Sequence, residues 1–262
     1  MSILKIVEIK LNISPAITGK YMNIISLNKI LHDYLISFVE LDYVEYLHEQ
    51  IIKPYSQHLM WDSTDNIYLW KIATLNDEAT EKIIYPIMNN LQLDSTVELK
   101  SAKDNITLTI LSKNYIHSAT YNQLIAKYFI NDSRIRKIEF LFTLPVIMHS
   151  YQEKLLPQAK DIIANLLAIW NLFANEQRLY EDNLVENLSS QMILSDYDLQ
   201  FKPLKENQQQ IPTFTGKYIF DLENNIMAKK LIAILCEYAK YTGLGMNTHL
   251  GFGAVETKIY RK

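Results

Sequence analysis

The sequence predicts an α+β fold built from two tandem β-α-β-β-α-β units. Three observations carry this expectation. Strand-like segments rich in β-branched residues recur along the 262 residues, helices with apolar residues at steps of three and four lie between them, and the order met in the first half recurs in the second.

In the first half SILKIVEIKLNI alternates in part and reads as a strand. Ile25, Leu27, Leu31, Tyr34, Leu35 and Phe38 then recur at helical spacing, and DYVEYLHEQ reads as a second short helix. YSQHLMW and NIYLWKIATL are strands separated by the turn-rich DSTDN. NDEATEKIIYPIMNN opens with capping and acidic residues, as a helix start should. VELKS and ITLTILSKNYIHSAT complete the half.

After a linking helix in YNQLIAKYF, RIRKIEFLFTL reads as a strand. LPQAKDIIANLLAIWNLFAN is an amphipathic helix with Ile162, Ile163, Leu166, Leu167, Trp170 and Phe173 on one face. SSQMILSDYDLQFK and TFTGKYIFDL are strands, the second with Phe214, Tyr218, Phe220 and Leu222 on one side; the polar KENQQQ is the loop between them. NNIMAKKLIAILCEYAKY is a helix and FGAVETKIY a closing strand. Each unit is ferredoxin-like (RRM-like), a sheet backed by helices. The expected domains are 1–120 and 121–262.

Composition narrows the function. No apolar run approaches the roughly 18 residues of a membrane span, and the N-terminus has no signal pattern, so a cytosolic (cytoplasmic) protein is expected. The single cysteine, Cys236, lies in the apolar LIAILCEYAK and reads as a buried core residue, leaving no expectation of a disulfide. The net charge of −3 argues against a generic polyanion binder. The charge is unevenly spread, however. Residues 201–262 carry nine Lys/Arg against five Asp/Glu and 101–150 six against three, whereas the other blocks are acidic. A nucleic-acid surface is expected toward the middle and C-terminus, although an ordinary mixed-charge surface would read the same way.

Four of the six glycines, Gly243, Gly245, Gly251 and Gly253, lie in GLGMNTHLGFG between the last helix and the last strand. The spacing G-x-G-x5-G-x-G, placed after a helix, is neither a dinucleotide fingerprint nor a Walker loop. Such glycines permit positive φ and let successive N–H groups face an anion; a long connection without a ligand is the bland alternative.

These residues carry a resemblance. The loop following EYAKYTG is similar to the signature of the CRISPR-associated repeat-RNA endoribonucleases, the Cas six family. FLFTLPVIMH with LLPQAKDIIANLLAIWN, TFTGKYIFDL, and LHEQIIKPYSQHLMW resemble further segments of that family, in the same order along the chain. The resemblance implies two ferredoxin-like units and metal-independent cutting of the CRISPR transcript (pre-crRNA) into guide RNAs, part of antiviral defense. It implies no cofactor. As partners it implies the repeat RNA, other CRISPR-associated effector subunits and a second copy of the chain in a homodimer.

Metal-free RNA cleavage needs a base for the 2′-OH proton, a positive charge beside the phosphorane, and an acid for the departing 5′ oxygen. Histidine suits the first and last, lysine the second. By resemblance the family's positions match His48 as general base, Lys53 as transition-state stabiliser and His32 as general acid or positioning group, with Tyr34 as substitute for His32. Each has a structural alternative: His48 as a helix C-terminal cation, Lys53 as a solvated lysine, His32 as a packing histidine. His58 reads as structural, and His117 and His149 have no assignable partner. No histidine pair has ligand spacing beside a carboxylate, so no metal site is expected.

RNA contacts are expected from Gly243, Gly245, Asn247, Thr248, His249, Gly251 and Gly253, and from Arg134, Arg136 and Lys137 crowded at a strand start; the latter could equally be an exposed strand end. Tyrosines, 17 in all, offer stacking surfaces but mostly read as core. The loop departs from the family in lacking Lys or Arg, so phosphate contacts fall to backbone N–H groups, Asn247, Thr248 and a protonated His249, and the salt dependence should be shallow. A non-catalytic RNA-binding subunit of a CRISPR complex is the alternative reading. An unrelated ferredoxin-like protein binding a small anion is the third.

Overall fold

A computed structural model describes residues 2–14, 21–100, 105–130, 134–148, 157–206 and 209–261. These form two compact units, one of Ile3–Ser118 with His249–Gly251, the other of Ala119–Thr248 and the segment from Phe252. Three residues of the glycine-rich loop, which the sequence assigns to the C-terminal unit, thus cluster with the N-terminal one.

The N-terminal unit runs β1 (Ile3–Ser14), α1 (Tyr21–Ile36), α2 (Leu41–Glu49), β2 (Tyr55–Asp62) and β3 (Ile67–Thr74). It continues through α3 (Asp77–Ala79), a π turn (Thr80–Ile84), α4 (Tyr85–Asn90), β4 (Thr96–Lys100) and β5 (Asn105–Thr120). The sheet order is β2-β3-β1-β5-β4, the ferredoxin-like arrangement with β4 added at one edge. β1 pairs antiparallel with β3, Ile9 opposite Trp70, and β3 with β2, Leu59 opposite Trp70. Val7, Ile9 and Leu11 of β1 meet Leu27, Leu31 and Leu35 of α1 and Trp70 of β3 in one buried cluster. Asn76 caps α3, its side chain accepting from the Ala79 N–H at 2.8 Å. The π turn lies directly before Pro86, whose ring has no N–H and crowds the preceding turn, and the wider turn relieves that crowding.

The C-terminal unit opens with α5 (Tyr121–Phe129), held by a reciprocal capping box between Thr120 and Gln123. β6 (Ile135–Val146), α6 (Ala159–Phe173), α7 (Leu184–Ser189), β7 (Met192–Phe201), β8 (Leu204–Glu206), β9 (Gln209–Ile211), β10 (Phe214–Leu222), α8 (Ile226–Thr242) and β11 (Val255–Arg261) follow. The sheet order β11-β6-β10-β7 is antiparallel throughout, again ferredoxin-like. Its core packs Phe140 and Phe142 of β6 with Leu166 and Trp170 of α6 and Leu235 and Tyr238 of α8, all essentially without solvent contact. Trp170 and Tyr238 also meet edge to face at 5.1 Å, with Tyr121 against both. Cys236 lies in this core.

The tandem ferredoxin-like expectation therefore holds. Two pieces differ from it. Part of KENQQQ is a small hairpin, β8 with β9, rather than plain loop, and α7 has no counterpart in the sequence reading. Among the described residues no helix is long and apolar enough to cross a membrane.

Candidate active site

The site starts at a helix face. α1 buries Leu27, Leu31 and Leu35, and this phase brings His32 to the border of the core, its side chain 16% exposed. The His32 Nδ1 lies 3.2 Å from the Asp33 carboxylate and its Nε2 2.9 Å from the Tyr55 hydroxyl. A carboxylate only accepts, so Nδ1 carries the proton; in the neutral ring Nε2 then accepts from Tyr55. Burial pushes the Tyr55 hydroxyl well up, so it keeps its proton to donate. Burial also lowers the His32 pKa, against the pull of Asp33 and with the help of the His48 and Lys53 charges. His32 is thus a neutral imidazole with both nitrogens engaged.

The glycine-rich loop enters the same site. The His249 ring meets that of His32 edge-on at 5.5 Å and that of Tyr55 at 6.1 Å. Two buried polar side chains seat this loop tip. Gln57 of β2, 1% exposed, donates to the His249 carbonyl at 3.1 Å and to the Asn28 carbonyl at 3.0 Å, and accepts from the Trp70 indole at 2.8 Å. Asn28 of α1 accepts from the Leu59 N–H at 2.7 Å, and its side chain occupies the space a Cβ at Gly251 would need.

His48 ends α2 as an exposed side chain with no hydrogen-bond partner among the described residues. Lys53 sits beside it. Its ammonium donates to the carbonyls of Leu47, His48 and Gln50, satisfying the C-terminus of α2. Partial burial lowers its pKa, and its charge reaches both His32 and His249. His32, His48, Lys53 and His249 therefore form one cluster. Tyr34 points elsewhere, against Phe38 and Trp70.

The loop's glycines correct the expectation of an anion-facing backbone. Four have positive φ, but their neighbourhood is the protein itself. The N–H groups of Gly243, Leu244, Met246 and Gly253 donate to the carbonyls of Ala239, Gly253, Ile147 and Pro145, and that of Gly245 to the Asn165 side chain. Gly243, Gly251 and Gly253 are buried, and a Cβ at Gly253 would lie 1.9 Å from the Leu244 oxygen. Glycine is required here for close packing. The partly exposed Asn247, with φ +58, and Thr248 remain to meet a ligand. The expected protonated His249 is also corrected: burial first, then the His32 and Lys53 charges, lower its pKa to about 3.

Of the basic strand start, Arg134 and Arg136 are exposed, whereas Lys137 pairs with Asp221 at 3.5 Å. His58 is a neutral strand residue, its pKa lowered to about 3 by burial and by Lys71. His149 lies outside the described residues. Among the described residues no group of three or more His, Cys, Asp or Glu side chains could hold a metal ion.

A model of the CRISPR-associated endoribonuclease Cas6 family matches residues 140–255. CRISPR-associated endoribonuclease Cas6 of Streptococcus thermophilus is 23% identical over 86% of this chain and 88% of its own length. The protein of the same name from Mycobacterium tuberculosis is 23% identical over 87% of this chain and 70% of its own. The chain belongs to the Cas6 family. A solved Cas6 product complex has the same fold, with a TM-score of 0.72 at 16% identity over 98% of this chain and 100% of that one.

Tyr55, Gln57 and Asn28 are the residues of this Cas6 site that the sequence reading missed. Asn28 and Gln57 did leave a signal, a polar residue beside Leu27 on an apolar helix and another in the strand YSQHLMW. Tyr55 left none among so many tyrosines.

Proposed function

We propose that the protein is a metal-independent endoribonuclease that cuts CRISPR repeat RNA into guide RNAs. The 2′-OH attacks the adjacent phosphodiester: the O2′–P bond forms, the P–O5′ bond breaks, and the products are a 2′,3′-cyclic phosphate and a 5′-OH. His48 takes the 2′-OH proton, Lys53 lies beside the developing phosphorane charge, and His32 positions the scissile group. Of the two roles open to His32 from sequence, positioning fits better, since a neutral imidazole has no proton to spare for an acid step. The departing oxygen then takes its proton from His48, which has just gained one, or from water.

The observation that carries this reading is the clustering of His32, His48 and Lys53 at one site in a chain of this family. Asn247, Thr248, Arg134 and Arg136 are the RNA contacts it leaves, with Lys137 weakened by its ion pair. The resemblance extends the reading to other CRISPR-associated subunits as partners and to a homodimer. The test is incubation with the host's repeat RNA in excess EDTA, with both new ends mapped. Cyclic phosphate and 5′-OH ends are expected. No cut with or without Mg²⁺ would leave an RNA-binding subunit instead, and a cut that needs Mg²⁺ would overturn the mechanism.

A further inference from the structure

The tip of the glycine-rich loop has no Lys or Arg, yet it is the most firmly seated part of the loop. Gln57, itself fixed by the Trp70 indole, holds the His249 carbonyl, and the Asn28 side chain packs under Gly251. The main chain is held on both sides of Leu250. A loop that gripped phosphate by charge would gain little from such anchoring, because Coulombic attraction tolerates motion of the charge. A ring that must occupy one place needs it.

That place is against His32. Asp33 takes one nitrogen of His32, Tyr55 the other, and the His249 ring closes a third side edge-on. His48 and Lys53 are the remaining charged groups near His32, on α2 and just beyond it.

We propose that His249 is a positioning residue of the cutting site: the loop tip clamps its imidazole against His32 and Tyr55, fixing the orientation of His32 and shielding it from water. The inference rests on the reading of this site as an RNA-cutting centre. It gives the uncharged loop a part in catalysis rather than in RNA affinity. Without the His249 ring, water reaches His32, its imidazolium is hydrated, and the ring is freer to turn.

The test uses the full chain with His249→Ala and His249→Phe, the latter keeping a ring in place. Without RNA, the pH titration of the His32 ring proton is followed by NMR, its resonance identified by its loss in His32→Gln. His249→Ala should move the His32 midpoint up toward that of an ordinary histidine, and His249→Phe should hold it near the wild-type value. With repeat RNA under single-turnover conditions, His249→Ala should slow cleavage about 10- to 100-fold with Kd within about twofold. His249→Phe should recover part of the rate. An unchanged His32 midpoint in His249→Ala overturns the proposal, as does weakened RNA binding with an unchanged cleavage rate. Should the wild type cut no RNA, the functional reading fails by itself, while the titration still decides whether His249 governs His32. Thermal melts of both variants establish that each is folded, and His249→Phe carries the test if the alanine variant is not.

Discussion

The side-chain amide of Gln57 donates to the carbonyl of His249 across 192 residues of sequence. The same side chain holds the Asn28 carbonyl and the Trp70 indole. Gln57→Leu keeps the bulk and removes all three bonds, leaving buried polar groups unpaired at about 1–3 kcal/mol each where water cannot replace them. Urea unfolding should show a lower midpoint with an unchanged m-value, and cleavage should fall with it. An unchanged midpoint would show that these bonds add nothing net.

The paired glycines should differ in their tolerance of a methyl group. A Cβ at Gly253 would lie 1.9 Å from the Leu244 oxygen, whereas one at Gly243 would meet the Gly253 oxygen and the Thr248 methyl at 2.9 Å. Both positions have positive φ. Gly253→Ala should cost more than about 2 kcal/mol and Gly243→Ala less than that, since the Thr248 side chain can move. Equal melting temperatures for the two variants would contradict this ranking.

His48→Ala removes the proposed base without disturbing a packed group, because the side chain is exposed. Single-turnover cleavage in EDTA should drop about 10²- to 10⁴-fold, with RNA affinity nearly unchanged. Substantial residual cutting would move the base elsewhere, first to His32.

Stability should fall on mild acidification. His58 and His249 each have a folded pKa lowered to about 3 from an ordinary 6.5. Between those values the unfolded chain binds the extra protons. Their contribution to stability is therefore complete above about pH 6.5 and is lost as the pH falls toward about 3. The melting temperature should be lower at about pH 5 than at about pH 7, and the double variant His58→Gln, His249→Asn should flatten that decline. A decline of unchanged steepness in the double variant would assign it to other groups.

Arg136 is exposed and Lys137 is paired with Asp221. Arg136→Ala should weaken RNA binding and reduce the slope of log K against log salt by about 1, with a smaller change for Lys137→Ala. Equal slopes for wild type and Arg136→Ala would remove that arginine from the RNA surface.

The fold was legible wherever a short-range period decides it. The face of α6 from Ile162 to Phe173 and the alternation of β10 from Phe214 to Leu222 need no distant partner to be recognised. α7 was missed because six residues offer little more than the pair Leu184 and Leu188, entered through Asn183 at positive φ. The site was less legible. A glycine at positive φ can turn its N–H toward a ligand or toward its own chain, and here Pro145, Ile147 and Asn165 decide the matter. Nor does the residue type of His249 reveal whether it is charged; its burial beside His32 does. The loop's missing lysine reads differently once the tip is found seated against His32.

Cys236 is the only thiol in the chain, buried in the core of the C-terminal unit, with its pKa pushed up to about 12. A sulfhydryl that is neither accessible nor ionised reacts with a water-soluble alkylating reagent only while α8 is lifted from its sheet. The protein therefore carries a built-in clock. The rate of its alkylation times the opening of that unit without an added label, and any slowing on addition of RNA measures directly how far the bound strand holds the unit shut.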